Sequence, residues 1–194
     1  MKWVPLALSL LALACSDDGN AGAAQDRHAL ASARAETRTE ATFSLSSTAF
    51  AANGLIPLRH SAYGDGVSPA LSWSGLPAGT RSLALMMEDP DATSARPFVH
   101  WLAWNIDPVE GRLPEGIAPD ASGLVQGRNN RRSNGYFGPR PPGSRPHRYH
   151  FQLFALDDAL TLPAGADREA LLAAMNGHVL AKADLVGLFG EPQR

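Results

Sequence analysis

The sequence predicts a domain made largely of β-strands, on three observations. From Thr42 onward, short stretches with period-two side chains are separated by Gly, Pro and Asn. Two longer apolar segments, Ser82 to Glu88 and Phe98 to Ile106, are too short and too rich in turn signals at their ends for typical helices. The third is the stretch Gly135 to Leu156, GYFGPRPPGSRPHRYHFQLFAL, a proline loop that runs into a strand. Pro139, Pro141, Pro142 and Pro146 lack a backbone N–H, so the loop can be neither helix nor central strand.

The chain begins with MKWVPLALSLLALAC, one lysine followed by about a dozen apolar residues, which suits a signal-peptide core better than a bilayer span. Leu11-Ala12-Leu13-Ala14-Cys15, followed at once by Asp17 and Asp18, resembles the bacterial lipobox, in which the cysteine becomes the lipidated first residue. Residues 1–15 are therefore expected to be a lipoprotein signal peptide, with lipid on Cys15 placing the protein at the cell envelope. Residues 16–40 carry almost no large apolar side chains and read as a flexible tether, with a short helix possible between Asp26 and Arg38. Residues 41–194 form the domain. Cys15 is the only cysteine, so no internal disulfide holds it. A formal net charge of -2 gives no general reason to expect nucleic-acid binding.

Within the domain, Phe43-Ser44-Leu45 and Ala49-Phe50 alternate, and Asn53-Gly54 and Gly64-Asp65-Gly66 signal turns. Leu71 and Trp73 oppose Ala70, Ser72 and Ser74, and Leu76 to Thr80 makes a tight connection to the next strand. There Leu83, Leu85, Met87 and Asp89 share a face, so a carboxylate ends an apolar row. In FVHWLAWNI, strict alternation puts His100 with Leu102, Trp104 and Ile106, opposite Val99, Trp101 and Ala103. Both faces are apolar, as in a strand covered on two sides. Residues 107–134 read as turn-rich and irregular. His147, Tyr149, Phe151 and Leu153 then share one face of the next strand, with Arg148, His150 and Gln152 on the other. Asp167 can cap a helix over Arg168 to Met175, closed by Asn176-Gly177. Periodicity does not decide whether His178 to Phe189 is strand or helix.

Three strand ends thus carry polar groups into apolar surroundings: Asp89 with Asp91, His100, and His147 with Tyr149. A carboxylate beside an imidazole favours the charged ring, and two such rings with a phenol and loop amides would make an anion cup. The same groups could hold a metal or act as an acid–base pair. Each also has a structural role open to it, as turn, cap or core residue. Arg128, Arg131, Arg132, Arg140 and Arg145 read as a solvated rim.

Glu88-Asp89-Pro90-Asp91-Ala92, His100-Trp101, Gly135-Tyr136-Phe137-Gly138 with Pro141-Pro142, and His147-Arg148-Tyr149 together resemble the phosphatidylethanolamine-binding protein family, in its bacterial Raf-kinase-inhibitor-like branch. The resemblance runs from about Phe43 to Phe189. It implies Greek-key antiparallel sheets with a few peripheral helices. It also implies a pocket for phosphate-like groups, carboxylates or lipid head groups, lined by Asp89, Asp91, His100, Gly138, Pro142, His147 and Tyr149. Thr93 departs from the family, which usually has proline there. The function expected is non-catalytic binding of a small anion, with no cofactor and no metal; inhibition of a protease or other enzyme through a protein interface is the alternative. A homodimer is compatible with the family.

Overall fold

The computed structural model describes residues 29–192. Cys15, the expected signal peptide and the first part of the expected tether lie outside the described residues. Among the described residues nine strands form two sheets. Their ranges are β1 Ser44–Ser46, β2 Gly54–Leu55, β3 Leu71–Ser74, β4 Ser82–Asp89, β5 Phe98–Ile106, β6 Arg112–Leu113, β7 Val125–Gln126, β8 His147–Leu156 and β9 Val179–Phe189. Helix α1, Ala31–Arg34, and helix α2, Arg168–Met175, complete the frame, with one turn of 3-10 helix at Leu58–His60. The mainly β class with peripheral helices is as the sequence predicts.

The larger sheet has the order β2-β9-β8-β4-β5-β7, and the smaller β1-β3-β6. All pairings are antiparallel except β2 with β9. Every residue of β4 is buried, because β5 and β8 flank it and both sheet faces are covered. On one face, Leu83, Leu85, Met87, Trp101, Tyr149, Phe151 and Leu153 pack with Leu71 and Trp73 of the small sheet. On the other, Ala84, Met86, Leu102, Trp104 and Phe154 pack against Ala31, Leu171 and Met175 of the two helices. The last segment is the strand β9, and residues 107–134 contribute the two-residue strands β6 and β7. Helix α2 starts where expected: the Asp167 carboxylate accepts the Ala170 N–H at 3.1 Å.

Strict alternation fails in β5. Met87 opposes Trp101 and Glu88 opposes Val99, so His100 is an extra residue in the ladder. Such a bulge turns two consecutive side chains toward the same side. His100 therefore leaves the face of Leu102 and Trp104, where period two would put it, and comes against Tyr149, ring centroids 5.1 Å apart. A second slip between Leu83 and Leu85 moves Ile106 onto the face of Trp101 and Ala103.

The described part of the expected tether is docked on the sheet. Ala31 is fully buried and its N–H donates to Glu88 at 2.7 Å, while the Ser32 N–H donates to the Gln152 side chain at 2.6 Å. Arg38 N–H then donates to the Val179 carbonyl at 2.8 Å, carrying the segment along β9. Glu88 is the anchor for this layer. Its fully buried carboxylate accepts from Arg168 Nε at 2.5 Å and Gln152 Nε2 at 2.7 Å as well as from Ala31. A buried charge with three donors meets the requirement that such a group be paired and hydrogen-bonded.

Candidate functional site

The site forms where the ends of β4, β5 and β8 meet the proline loop. Asp89 is the last residue of β4 and His147 the first of β8. Antiparallel pairing brings these ends together, and Asp89 Oδ2 lies 2.8 Å from His147 Nδ1, both side chains being buried. Asp89 Oδ1 accepts the Asp91 N–H at 2.8 Å, closing the Asp-Pro-Asp turn on itself. Asp91 in turn receives the Arg148 N–H at 2.8 Å and both arms of its guanidinium, at 2.9 and 2.6 Å. The Arg148 guanidinium holds the Asp91 carboxyl down to about 2. The turn after β4 is thereby tied to the start of β8 on both sides.

His100 completes the group. Its Nδ1 donates to the Phe137 carbonyl at 2.7 Å, and the Phe137 N–H donates back to the His100 carbonyl at 2.9 Å. The two rings stack at 5.6 Å, with Phe98 tilted against His100 at 4.8 Å. Sequence reasoning expected a neighbouring carboxylate to keep the imidazole charged. In the structure burial outweighs the Phe137 carbonyl and Asp89, and the ring falls to about 4, so it is neutral at pH 7. With Nδ1 engaged as donor, Nε2 is left as an acceptor.

A hollow of about 160 Å³ opens onto these groups, lined by Asp89, Ala92, Thr93, Phe98, His100, Phe137, Arg140, Pro141, Pro142 and His147. Four of the seven residues singled out in the sequence, Asp89, His100, Pro142 and His147, thus share one wall. Asp91 faces a neighbouring hollow with Arg145, Pro146, His147 and Arg148. Tyr149 lies behind the wall: it is fully buried, and its hydroxyl has no well-formed hydrogen bond though it faces Asp89. Burial first, and the Asp89 charge second, push that phenol far up. Gly138 is not in the lining. A Cβ on it would come within 2.5 Å of the His60 carbonyl oxygen and 2.7 Å of Ala62 N, so this glycine serves close backbone packing.

Phe98, Phe137, Arg140 and Pro141 are lining residues that sequence reasoning did not single out as ligands. Phe137 and Pro141 stood within the quoted motifs, while Arg140 was read as rim. Thr93 sits exposed on the edge of the hollow. Among the described residues no three His, Cys, Asp or Glu side chains gather in a way that would hold a metal ion. No helix among them is long and apolar enough to cross a membrane.

These features define a β-sheet protein with a small polar hollow at the strand ends. The model of the phosphatidylethanolamine-binding protein family matches residues 46–190, and the chain belongs to that family. A UPF0098 protein of Methanothermobacter thermautotrophicus is 47% identical over 149 residues, 75% of this chain and 97% of that protein. The crystal structure of a phosphatidylethanolamine-binding protein homolog from Chlamydia trachomatis superposes with a TM-score of 0.72 at 37% identity, covering 79% of this chain and all of that one. Escherichia coli YbcL, described as a member of the mammalian family, gives a TM-score of 0.72 at 27% identity over 77% of this chain and 99% of its own.

Proposed function

We propose that the protein is a non-catalytic binder of a small anionic group, phosphate-like or the head group of a phospholipid, in the hollow bounded by Asp89, His100, Pro142 and His147. Asp91 and Tyr149 support that wall from outside it, and Gly138 shapes the loop from behind. The observation that carries this reading is the cluster of buried polar side chains, Asp89, His100 and His147, beside an open hollow. Burying a carboxylate and two imidazoles together costs stability that a fold alone has no use for, and such clusters in a cleft mark functional sites. The likeness to relatives described as phosphatidylethanolamine-binding points the same way. The site offers no activated nucleophile, since His147 faces a carboxylate and not a hydroxyl or thiol. We place the chain in the bacterial Raf-kinase-inhibitor-like branch, and at the envelope through lipid on Cys15, on the motif and lipobox residues.

Calorimetric titration of the full chain with inorganic phosphate tests the site. Binding by the unchanged protein and its loss in His147→Gln, at an unchanged unfolding temperature, is the expected result; equal binding by both would overturn the assignment. Mass spectrometry of the mature protein tests the anchor through a diacylglycerol adduct on Cys15.

A further inference from the structure

A second hollow lies on the helix side of the large sheet, where β7 pairs with only Ala103 and Trp104 of β5 and a loop covers the rest of that edge. It holds about 300 Å³, and Arg96, Arg128, Arg132 and Arg168 line it together with Asp167 and Glu169. Both acids are already engaged. Asp167 caps α2, and Glu169 accepts from Arg34 at 2.8 Å and from Arg168 at 2.9 Å, while Arg96 comes only within 4.0 Å of it. Arg168 is also held by Glu88. Arg128 and Arg132 have no carboxylate within ion-pair distance among the described residues.

The loop that carries these two arginines is firmly built. Buried Asn129 accepts the Arg131 N–H at 2.9 Å and donates to the Gly135 carbonyl at 2.9 Å. Asn130 exchanges two hydrogen bonds with the Val99 backbone, at 3.0 and 3.1 Å, as a strand residue would. Arg132 sits in the left-handed region at φ 64°, which residues other than glycine seldom adopt. Consecutive arginines part here: Arg131 lies over the Phe137 ring at 5.3 Å, on the first hollow, and Arg132 lines the second. Guanidiniums gathered without matching counter-charge repel one another, and an anion that bridges them removes that cost.

We propose that this second hollow binds a small polycarboxylate, with Arg128 and Arg132 each clasping one carboxylate through the planar fork of the guanidinium and Arg96 supplying a third cation. Planar carboxylates match such forks in two-bond geometry. Asp167 and Glu169 remain on the lining and disfavour a concentrated charge such as phosphate, so single charges spread along a short molecule suit the site better. The volume is at the lower end for a small-molecule site. The proposal does not rest on the anion site at Asp89 and His147.

Titrations with citrate and with acetate, in salt of about 0.15 M to screen loose surface charge, test this on the full chain and on its His147→Gln variant. Citrate is expected to bind both proteins alike, and at least about tenfold more tightly than acetate, the usual scale of one further hydrogen-bonded charge pair. Arg128→Gln and Arg132→Gln should each weaken citrate by about tenfold, and Arg132→Lys by less. Arg112→Gln, which removes the same charge from an exposed arginine on the small sheet, should change nothing. Unchanged unfolding temperatures exclude a folding defect in the variants. Equal affinity for citrate and acetate, loss of citrate binding in His147→Gln, or an effect of Arg112→Gln as large as that of Arg128→Gln would each overturn the proposal. The first hollow is judged separately, by its phosphate titration.

Discussion

Replacing Arg168 with Met would leave Glu88 buried with a charge and no cation. Glu88 has no exposed surface, and Arg168 Nε is its ion-pair partner at 2.5 Å. Breaking a buried pair from one side typically costs about 3–5 kcal/mol, because the remaining charge keeps its desolvation penalty. Two donors would stay, Gln152 Nε2 and the Ala31 N–H. The variant also loses the bonds from Arg168 to the Ala29 carbonyl and to Glu169. The first effect lowers the loss and the second raises it, so a value near 3 kcal/mol is expected. With a urea m-value of about 2 kcal/mol/M for a domain of this size, the midpoint should fall by about 1.5 M. Adding Glu88→Gln removes the stranded charge and keeps an acceptor for Ala31 and Gln152. The double variant should therefore recover at least half of the lost stability. A loss below about 1 kcal/mol in the single variant, or a double variant less stable than the sum of the two singles, would refute the reasoning.

Three further outcomes follow from the same structure. His100 titrates at about 4 when folded and near 6.5 when unfolded, so the unfolded chain binds the extra proton between those values and stability is lost as pH falls from about 6.5 to 4, by up to about 3 kcal/mol; urea midpoints across that window should flatten in His100→Gln. Removing residues 1–40 strips the Ala31 and Ser32 donors from Glu88 and Gln152, and thermal unfolding should show a loss of about 2–4 kcal/mol from the two buried acceptors, whereas a passive tether would change nothing. Gly138→Ala must displace the backbone at His60 to Ala62, which should cost about 1–3 kcal/mol and lower the melting temperature by several degrees.

What the sequence made legible was local. The apolar run Ser82 to Glu88, bounded by turn residues, reads as β4, and Asp167 ahead of an amphipathic turn reads as the start of α2. The final segment could not be assigned from its own pattern, because β9 is a strand by virtue of pairing along the whole of β8. His100 was placed on the wrong face for a similar reason. Alternation assumes an unbroken ladder, and the bulge that turns His100 toward Tyr149 depends on the partner strand β4. His147 and Tyr149 were placed correctly relative to each other because β8 has no slip between them. Gly138 shows a different limit. Its place in the motif suggested an anion-binding loop, but the contact that requires glycine is with residues 60–62, far away in the chain.

Glu88 and Asp89 bring these threads into one question about β4. Consecutive residues on a strand point to opposite faces, so this strand carries a buried carboxylate into the helical layer and another into the hollow. Glu88 is held by Arg168, Gln152 and Ala31; Asp89 is held by His147 and the Asp91 N–H. Neither carboxylate shares a partner with the other, yet both depend on the same two backbone units. Sequence alone could not separate them, since both belong to one motif and Arg168 lies 80 residues on. Their consequences are separable. Loss of Glu88 should show first in the unfolding midpoint, and loss of Asp89 first in ligand affinity. A variant of Glu88 that stays folded but loses phosphate binding would mean that the helical layer sets the geometry of the pocket through β4.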